Sequence, residues 1–226
     1  VAHMVTDAHM ATATDAQILT LAQWLSPAYP IGAFAYSHGL EAAADQRWVT
    51  DATSLEAWLD DVLEHGAGRS DALFIAAAWR ACDARALREI DKTARAFAAG
   101  KERLLETDQQ GAAFAQVTET IWGGDLSGLT YPVGLGGASR RANLPLHLTQ
   151  TLYLQAFLSN LVAAGQRLVP VGQTAGQQIL HRLTKRLPGI AEATAHGDIS
   201  RLSSTAFLGD IASMKHETQY SRIFRT

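Results

Sequence analysis

The stretch DATSLEAWLDDVL, residues 51–63, sets Leu55, Trp58, Leu59, Val62 and Leu63 at helical spacing on one face, behind a capping residue at Asp51 or Thr53. A stripe of that period makes an amphipathic helix, and the same pattern repeats in both directions. Toward the N-terminus, Ile18, Leu19, Leu21, Ala22 and Leu25 recur at helical spacing with Asp15 as N-cap. Pro27 and Pro30 stop that helix, because proline lacks the N–H and restricts the residue before it. Ser26–Gly39 then reads as a structured turn, with Gly32 free to take positive φ, and Glu41–Arg47 as a short helix. Toward the C-terminus, Ser70 or Asp71 opens Leu73–Cys82, and Asp83 opens Ala84–Ala99, which Gly100 ends. Lys101–Trp122 runs to Gly123-Gly124, and Pro145 stands at the first position of a run to Leu168. Gly172–Leu187 lies between Pro170 and Pro188, and Ile190–Ala195 ends at His196-Gly197.

No alternating β-branched run and no Asn-Gly or Asp-Gly hairpin signal breaks this pattern. The fold expected is all-α: a single-domain bundle of about ten helices over residues 15–209. A flexible arm is expected over residues 1–14, with Val1–Met4 reading as a cloning scar, and a recognition tail over 210–226.

Of the 226 residues 47% are hydrophobic, enough for a core without staples, and only 18% are charged, against a usual figure of about 25%. With 40 alanines besides, part of the surface is expected to lie under a partner. A net charge of −3 gives no electrostatic reason for nucleic acid or an anionic membrane. No apolar run reaches membrane-spanning length and no secretory signal is visible. The single cysteine, Cys82, excludes an internal disulfide, fits a reducing compartment and reads as a small buried hydrophobe.

Few residues suggest chemistry. Ala35-Tyr36-Ser37-His38-Gly39 resembles a hydrolase nucleophile elbow, normally Gly-x-Ser-x-Gly, but the elbow requires a preceding strand and a proline-rich loop stands there. The plainer reading is that Ser37 caps the following helix; a small serine hydrolase using Ser37 is the competing hypothesis. Gly134-Leu135-Gly136-Gly137 before Arg140-Arg141 could cradle a phosphate, but small residues permitting close helix packing fit better. The eight histidines never pair at i,i+4, so no local two-ligand metal site is encoded. Asp60-Asp61, and Asp45 with Glu41, read as solvated helix faces, and Trp24, Trp58, Trp79 and Trp122 as core. The segment after Asp210 mixes apolar anchors (Ile211, Met214, Tyr220, Ile223, Phe224) with Lys215, Arg222 and Arg225, a composition suited either to recognition or to docking on its own domain.

Three segments together resemble the urease accessory protein F family, UreF. They are SPAYPIGAFAYSHGLE (residues 26–41), RLVPVGQTAGQ (167–177) and DIASMKHETQYSRIFR (210–225). Departures from the family pattern fall at Asp108, at Gly165-Gln166 and at Thr226. The resemblance implies a non-enzymatic, all-helical, dimerising, cytoplasmic protein. Its implied partners are the accessory protein UreD (UreH in some species), the GTPase UreG and the urease apoenzyme, whose active-site lysine must also be carbamylated. Nickel and GTP would be carried by those partners, so no cofactor of its own is expected. The partner-binding positions so implied are Pro30, Gly32, Phe34, Ser37, Gly39 and Glu41 in the first segment and Gln173 and Gln177 in the second. In the third they are Asp210, Met214, Lys215, His216, Glu217, Gln219, Tyr220, Arg222, Phe224 and Arg225.

Overall fold

A computed structural model describes residues 13–225. Eleven α-helices follow one another among them: α1 Asp15–Trp24, α2 Leu40–Asp45, α3 Ala52–His65, α4 Ala67–Arg80, α5 Ala84–Phe97, α6 Lys101–Trp122, α7 Tyr131–Arg141, α8 Leu146–Leu168, α9 Gln173–Thr184, α10 Leu187–Thr194 and α11 Phe207–His216. Single 3-10 turns lie at Ala33–Ala35 and Ile199–Arg201, and no strand occurs among the described residues. The all-α expectation holds. The expected arm falls outside the described residues except at its end, where Thr14 caps α1.

That cap corrects the reading of Asp15. Thr14 Oγ1 accepts from the Gln17 amide and the Gln17 side chain accepts from the Thr14 amide, a reciprocal capping box that leaves Asp15 inside the first turn. The start of α4 is corrected too. Ser70 and Asp71 are buried inside the helix: the Ser70 hydroxyl bonds back to the Gly66 carbonyl, and Asp71 faces an interior arginine. Cys82 is exposed in the turn between α4 and α5, not buried.

Helix α4 is the centre of the molecule. Every residue from Ala72 to Ala78 is buried, and α3, α5, α7, α8 and α10 all pack on it. A helix buried all round needs neighbours that approach closely, and α7 supplies one. A Cβ on Gly136 would stand 2.4 Å from the Ile75 carbonyl oxygen and 2.8 Å from the Ala78 Cβ. On the other side of α7, a Cβ on Gly111 of α6 would meet the Leu129 carbonyl oxygen at 2.1 Å. The Gly134–Gly137 run is thus helical and used for packing, not a phosphate loop, and the Arg140 guanidinium lies over the Trp79 ring at 4.7 Å. Phe114 anchors the far end of the core, with Trp24, Tyr29 and Tyr131 around it at centroid distances of 5.5, 5.8 and 5.5 Å.

Candidate functional site

The Ser26–Gly39 turn is held from within and from below. The Ala28 amide donates to Ser26 Oγ at 3.1 Å, and the Tyr29 and Thr118 hydroxyls meet at 2.8 Å. Gly32 and Gly39 take φ of 72° and 76°, left-handed values that favour glycine. Gly39 has a second constraint: a Cβ there would lie 2.8 Å from the Ser213 amide nitrogen, so α11 packs directly on this glycine. Ser37 is wholly buried, and its Oγ accepts from the Glu41 amide at 3.2 Å in the first turn of α2.

This turn delivers Glu41 into the interior, only 5% exposed, against the expectation of a solvated face. Its carboxylate gathers the C-terminal segment. The Ile223 amide donates to Oε1 at 2.7 Å and the Phe224 amide to Oε2 at 2.8 Å. His216, at the end of α11 and 0% exposed, places Nε2 3.1 Å from Glu41 Oε2 and Nδ1 2.7 Å from Glu102 Oε2. Arg222 pairs with the other Glu102 oxygen, and Glu217 caps α6 by accepting from the Lys101 amide at 2.8 Å. Phe224 is buried beneath the Arg167 guanidinium, 4.6 Å from its ring centroid. The Arg225 amide donates to the Ala35 carbonyl at 2.7 Å, and its guanidinium shares Gln109 Oε1 with the Tyr36 hydroxyl.

The three sequence segments therefore meet in space through Glu41, Arg167, His216 and Phe224. The remaining candidates lie around this junction or away from it. Asp210 accepts from the Ser204 hydroxyl, Gln219 bonds locally to the Ser221 carbonyl, and Lys215 lies 5.9 Å from the Trp48 ring centroid. Pro30, Phe34, Met214 and Tyr220 are exposed. Gln173 and Gln177 face outward from α9 and are not brought to the junction; their turn is held by Gln166 Nε2 on the Gly172 and Gln173 carbonyls. Sequence reading missed Glu102, Gln109 and Arg167 as partners of the tail. Arg167 stands inside a quoted segment, while Glu102 and Gln109 carry no local signal.

One turn further along α6, a buried polar network supports the junction. His38 Nε2 lies 2.9 Å from Glu106 Oε1, Arg103 reaches Glu106 and Asp71 at 3.3 and 2.8 Å, and the Tyr153 hydroxyl donates to Asp71 at 2.6 Å. Burial opposes ionisation of Glu106, but His38 and Arg103 outweigh it and hold the carboxyl below the usual glutamate range. Burial likewise opposes the Arg103 cation, and Asp71 and Glu106 more than offset it. Burial, reinforced by Asp71, pushes the Tyr153 phenol well above its ordinary value. Cavities of about 150 and 260 Å³ flank this network, and both are lined in part by His38 and Arg103. Among the described residues no three His, Cys, Asp or Glu side chains are grouped to hold a metal ion. No described helix is long and apolar enough to cross a membrane.

The family model for UreF matches residues 49–184, more than half of the chain. The chain belongs to the UreF family. It is 56% identical to the urease accessory protein UreF of Ruegeria pomeroyi, over 96% of this chain and 100% of that protein. It is 49% identical to the UreF of Roseobacter denitrificans, over 94% and 95% of the two chains, and 42% identical to that of Rhodopseudomonas palustris, over 94% and 92%. As a UreF-family member it is a urease accessory protein, a maturation factor and not an enzyme. The burial of Ser37 agrees, since a nucleophile has to meet its substrate. The matched span stops short of both Glu41 and α11, so these junction elements are reached by the full-length relatives and not by the family model.

Proposed function

We propose that this chain is a scaffold in urease maturation. It bridges a UreD/UreH-like protein and a UreG-like GTPase and regulates GTP-dependent nickel insertion into the urease apoenzyme. Nickel and GTP are carried by those partners, and the chain works as a homodimer in the cytoplasm. The observation that supports this reading is the apolar ridge that the junction holds outward. Phe207 (67% exposed), Leu208, Ile211 and Met214 (53%) line the outer side of α11, and Tyr220 and Ile223 continue it along the tail. Apolar anchors exposed on an immobilised helix suit partner docking, since less ordering entropy is lost on binding. In this reading Met214, Ile211 and Tyr220 contribute affinity, Phe224 fixes the path of the tail from inside, and the exposed Gln173–Gln177 face is left for the second copy or the GTPase.

The test is light scattering after size exclusion on the chain mixed with its UreD-like and UreG-like partners. A co-eluting complex larger than any pair is expected. Elution as separate peaks overturns the reading.

A further inference from the structure

The larger of the two cavities, about 260 Å³, lies between α1, the Ser26–Gly39 turn, α6 and α8. It reaches the surface beside Ala22 and Pro27, which are both exposed. Most of its wall is apolar, with Leu21, Leu25, Tyr29, Leu152 and Phe157 contributing. A cavity of about 150 Å³ with walls of this kind takes benzene, so this one has room for a substituted aromatic ring.

Two buried polar groups of the wall are left over. Tyr131 is only 5% exposed, and its hydroxyl makes no hydrogen bond among the described residues. The hydroxyls of Tyr29 and Tyr153, on the same wall, are engaged with Thr118 and Asp71. Burial pushes the Tyr131 phenol above its ordinary value, so it keeps its proton and can donate. Gln110 is buried as well, and its Nε2 donates to Glu106 Oε1 at 3.1 Å. That bond fixes which end of the amide is which, because an ionised carboxylate only accepts. The amide oxygen, Oε1, is then the end without a partner among the described residues. The two residues are brought together by Gly111, which follows Gln110 and packs so closely that a Cβ on it would lie 2.9 Å from the Tyr131 amide nitrogen. An unpaired buried donor or acceptor is costly, and a ligand group that pairs with both removes that cost.

The charged groups of the wall are committed already. Glu106 takes His38 at 2.9 Å and Arg103 at 3.3 Å, and Arg103 also holds Asp71 at 2.8 Å. An ionic ligand would be buried here without a counter-ion, a penalty that a neutral one does not meet.

We propose that this cavity is a binding site for a neutral aromatic alcohol, with the ring between α1 and α8 and the hydroxyl accepting from Tyr131 and donating to Gln110 Oε1. A ring seated there touches α1, the Ser26–Gly39 turn and α8 at once, so occupancy braces the turn that leads into Glu41. The site is a property of the isolated chain and does not rest on the scaffold reading above.

The experiment is titration calorimetry on the isolated full chain near pH 7 with 4-ethylphenol, a neutral phenol at that pH, beside ethylbenzene and 4-ethylbenzoate. Saturable one-to-one binding of 4-ethylphenol is expected, about tenfold or more tighter than that of ethylbenzene, the scale of one buried hydrogen bond. The anionic 4-ethylbenzoate should not bind. Tyr131→Phe should lower the affinity for 4-ethylphenol to that for ethylbenzene while leaving the urea midpoint unchanged or raised, since the hydroxyl it removes has no partner in the fold. No saturable binding of 4-ethylphenol at millimolar concentration, the result if water alone enters, overturns the site. So does equal affinity for 4-ethylbenzoate, or undiminished affinity for 4-ethylphenol in Y131F. Should Y131F fail to fold, intermolecular NOEs on the wild type decide. Contacts from bound 4-ethylphenol to the Leu21 and Leu152 methyls support the site; contacts confined to other residues overturn it.

Discussion

The Phe224 amide donates to the Glu41 carboxylate at 2.8 Å across 183 positions of sequence. Through this bond and its neighbour from Ile223, one buried side chain near the start of the fold sets the path of the last residues. Bonds to a charged acceptor are worth about 1.5–3 kcal/mol each, and Glu41 accepts two from backbone amides besides facing His216. Glu41→Ala should therefore undock the tail and not unfold the domain. Exchange of the residue 217–225 amides is expected to accelerate by about a hundredfold or more, the equivalent of ~2.7 kcal/mol. Protection in α4 and α8 should change far less. Equal loss in core and tail would show that the junction is part of the global fold.

Close packing of α7 leads to a prediction that separates three glycines. Gly136→Ala and Gly111→Ala put a methyl against backbone, 2.4 Å from the Ile75 oxygen and 2.1 Å from the Leu129 oxygen. Backbone cannot rotate aside, so each should cost about 1–3 kcal/mol or more. At Gly134 the nearest atoms to a Cβ are side chains at 3.9 Å, ordinary contact, and alanine is the better helix former. Gly134→Ala should leave stability unchanged or raise it by up to ~1 kcal/mol. Urea unfolding midpoints of the three variants check the order.

The same helix shows what a sequence can reveal. The stripe of α3, the glycine stop after α6 and the caps at Asp51 and Asp83 are local patterns, legible because local spacing determines them. Helix α7 escaped because its glycines argue against helix by propensity; the close tertiary contact of Gly136 with Ile75 and Ala78 of α4 overrides that preference. The C-terminal segment escaped differently. Its lack of a clean period reflects three jobs in one stretch: an exposed ridge at Ile211 and Met214, a buried pin at His216 and a buried anchor at Phe224. Glu41 looked like surface because its partners lie in the last residues of the chain, and nothing within one helix turn announces them.

The network beneath the junction should appear in the acid limb of stability. The Glu106 carboxyl lies below its ordinary value of 4.5 in the folded chain, chiefly because His38 and Arg103 overcome the opposing effect of burial. A depressed carboxyl contributes stability that is fully present above its unfolded value and is lost as pH falls through the folded one. Arg103, raised by its partners, stays charged throughout and adds no limb of its own. Glu106→Gln should cost about 3 kcal/mol near pH 7, because Arg103 and His38 lose their shared acceptor in a buried site. Its stability should also decline less than the wild type's as pH falls below about 4.5. Denaturant midpoints measured from about pH 3 to 7 report both effects.

The ridge on α11 gives a prediction with the opposite signature. Ile211 and Met214 are exposed large apolar residues on the same outer side of a helix whose inner residues, Ala212, Ser213 and His216, are buried. Ile211→Asp and Met214→Asp should therefore leave the domain's stability within about 0.5 kcal/mol, as surface changes usually do. If the ridge docks a partner, a charge at its centre is buried on association without a counter-ion. Each variant should then weaken co-elution with the UreD-like partner by about thirtyfold or more, the scale of an interface hot spot. Leu19→Asp on α1 is the control, since Leu19 is 68% exposed but lies outside the three segments that meet at Glu41. Equal loss from L19D and M214D would mean that exposure alone weakens binding. Loss confined to α11, with unchanged unfolding midpoints, would locate the docking surface on the ridge that the Glu41–His216 junction holds in place.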